Sequence, residues 1–284
     1  MILSTNGYAN PHALVSTDWA EKHLATPGVR FVEVDVDTSA YDSGHLPGAV
    51  GWNWQTQLQQ AVSRDIPEKS AFEVLLQQSG ITNDTHVVLY GDNSNWFAAY
   101  AFWLLRVYGH ASVSLMNGGR QRWIDEARQL TQLSSNVSPT TYRATAANSS
   151  LRAFRDQVAA SIGTSTVRLV DVRSPQEFSG ELLAPAHLPQ EGAQRAGHIP
   201  GAVNIPWASA VQEDGTFKSS DELRTIYHAV NGGSPAGVIA YCRIGERSAH
   251  TWFVLTELLG FDDVRNYDGS WTEWGSIIAA PIER

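Results

Sequence analysis

Short apolar runs alternate along the chain with stretches whose apolar residues recur at helical spacing, and the whole alternation occurs twice. In the first pass, residues 31–36, 85–90 and 113–116 are apolar runs of strand length. Residues 15–24 open with a capping signal at Ser16-Thr17-Asp18 and predict a short helix. Residues 71–80 predict an amphipathic helix stopped by Gly80, and 96–108 a strongly apolar one stopped by Gly109. Residues 91–95 read as a polar loop, and Asn117-Gly118-Gly119 as a turn before a helix containing Trp123. From 133 to 150 the chain shifts to Ser, Thr, Asn and Ala, the composition of a linker lying partly extended along a surface.

The order then begins again, with a helix over 151–162, a strand over 167–172 and a fully apolar strand over 238–241. A helix over 249–259 follows, with Ser248 as its N-cap and Gly260 as its stop. Gly197-His198-Ile199-Pro200-Gly201-Ala202-Val203 repeats Gly44-His45-Leu46-Pro47-Gly48-Ala49-Val50, Tyr241 repeats Tyr90, and Trp274 repeats Trp123. The chain is therefore a duplicated α/β unit, and strands alternating with helices imply mainly parallel sheets covered on both faces. The expected division is a first domain over 1–132, a linker over 133–150 and a second domain over 151–284.

Two differences separate the copies. Cys242 aligns with Gly91, so the first copy has no nucleophile in the equivalent loop, and the second copy carries an irregular insertion over 179–196. Long irregular loops of this kind often border active sites.

Composition narrows the picture. The 284 residues carry a net charge of −9, which argues against nucleic acid as a partner. The single cysteine excludes an internal disulfide, disfavours structural zinc and fits a reducing compartment. Residues 1–15 lack the pattern of a secretory signal, and no apolar run is long enough to span a bilayer. A soluble cytoplasmic protein with no membrane partner is expected, and a monomer, since two fused domains already bury a mutual interface.

The chemistry concentrates in Cys242-Arg243-Ile244-Gly245-Glu246-Arg247-Ser248, a tight loop between a buried strand and a helix. Backbone N–H groups converge in such a loop and the positive end of the helix dipole points at the same spot. A thiol held there is expected to have a lowered pKa and to react as the thiolate, with Arg243 and Arg247 adding positive charge. Glu246 is expected to pair with Arg247 or Arg243 and orient it rather than to move a proton. His45 and His198 recur in both copies, including the one without cysteine, so both read as structural; Asp35 and Asp171 read the same way. Asp268, Ser270 and Trp271 are expected to brace the loop.

Together, the duplication, the two Gly-His-x-Pro-Gly-Ala segments, the cysteine loop confined to the second copy and Tyr-Asp-Gly-Ser-Trp at 267–271 resemble the tandem-domain rhodanese family. The loop Cys-Arg-Ile-Gly-Glu-Arg is similar to that of thiosulfate sulfurtransferases of actinobacterial type. The resemblance implies two rhodanese-like doubly wound domains, each a mainly parallel sheet with helices on both faces, and an active site in the cleft between them. It implies a ping-pong reaction in which Cys242 accepts sulfur from thiosulfate as a persulfide and passes it to cyanide or a thiol such as thioredoxin. Neither a metal nor an organic cofactor is implied. On that mapping Arg243, Ile244, Gly245, Glu246, Arg247 and Ser248 line the anion pocket, and Arg173 holds the donor's anionic group. Two positions depart from the animal enzymes: Ile244 stands where lysine is usual, and Glu177 where several carry a second arginine.

Three alternatives stand beside this reading. A cysteine-dependent phosphatase or arsenate reductase shares the strand–loop–helix logic, but needs one residue more between cysteine and arginine than the four from Arg243 to Glu246. 3-Mercaptopyruvate as donor usually goes with a small residue after the cysteine, and Arg243 disagrees. A non-catalytic binding module would not need the cysteine and arginines that the second copy carries.

Overall fold

The computed structural model describes residues 7–184, 192–231 and 236–284. The chain forms two compact units and does not divide between them at a single point. Unit 1 holds 11–148 together with 212–217, and unit 2 holds 7–10, 149–211 and 218–284.

Unit 1 runs β1 (Leu14–Val15), α1 (Thr17–His23), β2 (Val29–Asp35), α2 (Ser39–Ser43), β3 (Val50–Asn53), α3 (Trp54–Gln57), α4 (Lys69–Gln78), β4 (His86–Tyr90), α5 (Asp92–Val107), β5 (Val113–Met116) and α6 (Gly119–Asp125). The strands form one sheet in the order β1-β5-β4-β2-β3, every pairing parallel. Four of the five β4 residues are buried, as expected of a strand covered on both faces. The polar loop over 91–95 appears as a left-handed turn, with Asn93, Ser94 and Asn95 all at positive φ before regular helix begins. The 133–150 segment is extended and tied to unit 1: Thr140 N–H donates to Gln77 O, Ala144 N–H to Glu73 and Asn148 N–H to Val107 O. Phe217, from the 212–217 segment, donates its N–H to Asn117.

Unit 2 runs α7 (Arg155–Ser161), β6 (Val167–Asp171), α8 (Pro175–Ser179), β7 (Val203–Asn204), α9 (Ser220–Ile226), α10 (His228–Asn231), β8 (Gly237–Tyr241), α11 (Glu246–Phe253), β9 (Val264–Tyr267) and α12 (Ser270–Trp274). Its sheet has the order β7-β6-β8-β9, again parallel throughout. Here α7 is shorter than the predicted 151–162 because Ala153 N–H is taken by Asn266 O beside β9, which holds the preceding residues outside the helix. The helix predicted over 249–259 begins earlier, at Glu246, and continues as a π-helical turn over Val254–Leu258 before Gly260.

The chain steps from β6 to β7 on one side and returns to place β8 on the other, so the order reverses between β6 and β8. In open parallel sheets the crevice at the carboxyl ends of such a pair is where ligands bind. Asp171 and Tyr241 are register partners there, and Cys242 follows at once. Among the described residues no helix is long and apolar enough to cross a membrane.

Candidate active site

The site is assembled where β8 runs into α11, and the start of α12 holds it in place. Cys242 N–H donates to Ser270 Oγ at 3.0 Å, Trp271 N–H to Cys242 O at 3.0 Å and Thr272 N–H to Arg243 O at 3.0 Å. Ser270 Oγ is fixed in turn by donating to Tyr267 O, and the residue is held at a left-handed φ of 52°. Such backbone strain in a non-glycine residue persists only where the surroundings impose it. The bracing expected of Asp268, Ser270 and Trp271 thus has a definite form, and Asp268 adds a two-point ion pair with Arg152 at 2.7 and 3.0 Å.

Within the loop, Gly245 N–H donates to Cys242 Sγ at 3.1 Å. Gly245 has φ 103°, and a Cβ there would stand 2.9 Å from the Asp268 backbone, so only glycine closes the turn. Gly245 is also the N-cap of α11. This corrects the placing of the N-cap at Ser248, which lies in the first helical turn. Its Oγ is 2.7 Å from Asn266 Oδ1 and 3.6 Å from Sγ. Asn266 itself gives nothing away in sequence, being one residue of a short strand.

The thiol is fully buried, but in a polar cup rather than in hydrocarbon. Sγ–H points to Glu246 Oε2 at 3.3 Å. Burial pushes the Cys242 pKa up and the Glu246 charge pushes it further, against smaller opposing effects from Arg247 and Ser248. The expected depression is therefore corrected: in this arrangement the thiol is held protonated. Sequence spacing shows the converging donors but not the desolvation, which overrides them.

Arg247 and Arg173 are not open anion receptors. Arg247 Nη1 and Nη2 meet Glu177 Oε2 and Oε1 at 2.9 and 3.0 Å, with both side chains buried. Its Nε is 3.6 Å from Glu246 Oε1, so the expected Glu246–Arg247 pairing is a looser contact than the one to Glu177. Glu177 is presented by a capping box at the start of α8, its Oε2 accepting from Ser174 N–H while Ser174 Oγ accepts from Glu177 N–H. Burial alone would raise its pKa, but the hydrogen bond and charge of Arg247 outweigh that and hold it below its ordinary value.

Arg173 is fully buried, with Nε and Nη2 on the Asp171 carboxylate, Nη2 also on Gly197 O at 2.7 Å, and the guanidinium 4.5 Å from the Trp271 ring centroid. Arg173, expected on the donor's anionic group, is here paired with Asp171 and ties the end of β6 to the 197 turn. Arg243 and Ile244 are buried beside the thiol in sequence, at 2% and 3% exposure. Residues 185–191 of the insertion over 179–196 lie outside the described residues; Arg195, near its end, donates to Gly275 O and Ala280 O.

The recurrent residues serve the scaffold in each unit alike. Tyr90 OH accepts from Leu46 N–H and Tyr241 OH from Ile199 N–H, each at 3.1 Å. His45 stacks on Tyr41 with Nδ1 2.8 Å from Tyr41 O, and His198 does the same with Phe178. In unit 1 the place of Cys242 is held by Gly91, where a Cβ would lie 2.4 Å from Val34 O, leaving no room for a side chain. Among the described residues no group of three or more His, Cys, Asp or Glu side chains is placed to hold a metal ion.

Comparison with known proteins shows the family. A rhodanese-like domain model matches residues 16–126 and again 154–277. A protein of Saccharopolyspora erythraea, provisionally named a thiosulfate sulfurtransferase, is 57% identical over 270 residues, 95% of each chain. The sulfur carrier protein TtuD of Thermus thermophilus is 52% identical over 281 residues, covering 98% of this chain and 99% of its own. Among solved structures, the 3-mercaptopyruvate sulfotransferase SseA of Escherichia coli is similar at a TM-score of 0.77 and 25% identity, over 91% of this chain and 98% of that one. With matches in both units and relatives of this identity along nearly its whole length, the chain belongs to the rhodanese-like family, as a tandem-domain sulfurtransferase.

Proposed function

We propose that this enzyme transfers sulfane sulfur from thiosulfate to a thiophilic acceptor, cyanide or a thiol, in two half-reactions through a persulfide on Cys242. The residues over 151–284 would form the catalytic domain, joined through 133–150 to a non-catalytic one over 1–132. The observation that carries the reading is the cup around Sγ: one backbone N–H from Gly245 at 3.1 Å, with the Ser248 hydroxyl 3.6 Å away. Attack on the outer sulfur of thiosulfate needs a soft nucleophile, and the product persulfide is an anion one sulfur longer. Donors in fixed positions stabilise that anion without reorganising.

The roles of the charged residues differ from the simple anion pocket. Arg247, paired with Glu177, shapes the wall beside the thiol, while Arg243 and the loop N–H groups bear the attraction for the donor. Arg173 supports the crevice from behind. The names of the relatives favour thiosulfate as donor, and the sulfur carrier name of the Thermus relative favours a protein or small thiol as acceptor over cyanide.

Incubation with thiosulfate followed by intact-mass measurement tests the reading. The protein should gain the mass of one sulfur atom, and Cys242→Ser should gain nothing. Equal or faster loading from 3-mercaptopyruvate would transfer the assignment to that donor, and Cys242-dependent hydrolysis of a phosphomonoester would overturn it.

A further inference from the structure

A buried thiol must lose its proton before it can attack, and the structure restricts where that proton can go. The charged and titratable groups packed into this part of unit 2 come from six elements. Asp171 at the end of β6 has both carboxylate oxygens on Arg173. Glu177 on α8 has both on Arg247. Asp268, before α12, has both on Arg152, which precedes α7. His250, one turn along α11, is fully buried, and that burial pushes its pKa down to about 3, so it does not hold a proton near neutrality. Arg243, in the loop, carries donors only and has no acceptor atom for the proton. Glu246 remains. Its Oε2 lies 3.3 Å from Sγ, while Oε1 accepts no hydrogen bond and has only the 3.6 Å contact with Arg247 Nε. Cys242, in the loop before α11, and Glu246, in its first turn, are in direct contact with both side chains buried.

We propose that Glu246 takes the Cys242 proton in the first half-reaction, making it a catalytic residue of the sulfur transfer. The inference rests on the sulfur-transfer reading for its donor. The Sγ–H bond breaks and the proton passes to Glu246 Oε2, leaving the electron pair on Sγ. That pair forms the new bond to the outer sulfur of thiosulfate. The sulfur–sulfur bond of the donor breaks with its pair going to sulfite, which takes the proton from Oε2 as it leaves. Thiol plus thiosulfate dianion becomes persulfide anion plus hydrogensulfite, with charge and protons balanced and no external oxidant or reductant. Arg247, near Oε1, steadies the carboxylate before transfer and leaves Oε2 to the thiol.

The pH dependence of Cys242 alkylation by iodoacetamide, followed by intact mass, tests this without any sulfur donor. When the carboxylate takes the thiol proton within the reacting pair, no proton is lost to solvent on the way to attack, so that route carries no factor in pH. The wild-type alkylation rate should be flat across roughly pH 6 to 7.5. In Glu246→Gln the proton must go to water, and the rate should climb about tenfold per pH unit. Its kcat/KM for thiosulfate should fall by about 10²- to 10⁴-fold at pH 7 and recover as pH rises. Glu246→Asp should keep the flat profile at reduced rate, and it decides the matter if the glutamine variant does not fold. A wild-type rate that already climbs log-linearly overturns the proposal, as does faster alkylation of Glu246→Gln at pH 7, the sign of a carboxylate that merely repels the thiolate. A flat wild-type profile without mass gain from thiosulfate would sink the donor assignment and leave the proton acceptor standing; mass gain with a climbing profile would do the reverse.

Discussion

Glu177 and Arg247, seventy positions apart in sequence, meet in a two-point ion pair at 2.9 and 3.0 Å with neither side chain exposed beyond 3%. The glutamate thus neutralises the guanidinium beside the thiol. Removing one member strands the other charge in a buried site, at a typical cost of about 3–5 kcal/mol, whereas an apolar pair of similar volume is often neutral. Glu177→Leu or Arg247→Met alone should lower the urea midpoint of unit 2 strongly, and the double variant should recover most of the loss. Additive losses in the double variant would show that the two side chains contribute independently.

The same pair sets an acid limit. Arg247 holds the Glu177 carboxyl below its ordinary 4.5, so its stabilisation is fully present above that value and is lost as pH falls through the lower folded value. The stability gap between wild type and Glu177→Gln should therefore be constant near neutrality and close progressively below about pH 4.5. Unfolding free energies measured from pH 3 to 7 check this, and a gap that persists at the acid end would contradict it.

Much of this arrangement is legible in the sequence, and what is not has a physical reason. The repeat of Gly44–Val50 at Gly197–Val203, and the cysteine directly after a fully apolar strand, locate the site because both depend on local pattern. The partner of Arg247 does not show: Glu177 appears only as a missing arginine, although Ser174-Pro175-Gln176-Glu177 marks it as a capping-box residue with its carboxylate directed back to the helix start. Ser248 carries the chemistry of an N-cap, but Gly245 can adopt the left-handed turn that starts α11 one turn earlier. The thiol's pKa is misread for a third reason. Loop donors and dipoles are visible in spacing, while burial and the approach of Glu246 depend on how the whole unit packs.

Unit 1 carries its own pH response at the position matching Asp171. Asp35 is 6% exposed; burial first, and then the charge of Asp92, push its pKa up to about 8, against the N–H that Asp92 donates to it. A folded pKa above the unfolded 3.8 means that stability is greatest below 3.8 and declines as pH rises toward 8. Asp35→Asn stays neutral and should outlast wild type by a margin growing by up to about 1.4 kcal/mol per pH unit across that window. Denaturant titrations at pH 4, 6 and 8 should show the margin opening in that order; an equal margin at all three would mean that the folded carboxyl is ionised like the unfolded one, with no raised pKa.

Ser270 combines a bond with a strain, and two substitutions separate them. Its Oγ accepts Cys242 N–H at 3.0 Å, and its backbone sits at φ 52°, a region that costs a residue with a Cβ roughly 1–2 kcal/mol relative to glycine. Ser270→Ala keeps the strain and leaves the buried Cys242 N–H without its acceptor, a loss of about 1–3 kcal/mol. Ser270→Gly loses the same acceptor but relieves the backbone, so it should unfold later than Ser270→Ala. Both should load less sulfur from thiosulfate than wild type, because the hydroxyl fixes the residue that bears the thiol, and glycine's recovered stability should not restore that loading. If the two variants differed in sulfur loading as much as in unfolding temperature, Ser270 would act through backbone geometry and not through its bond to Cys242.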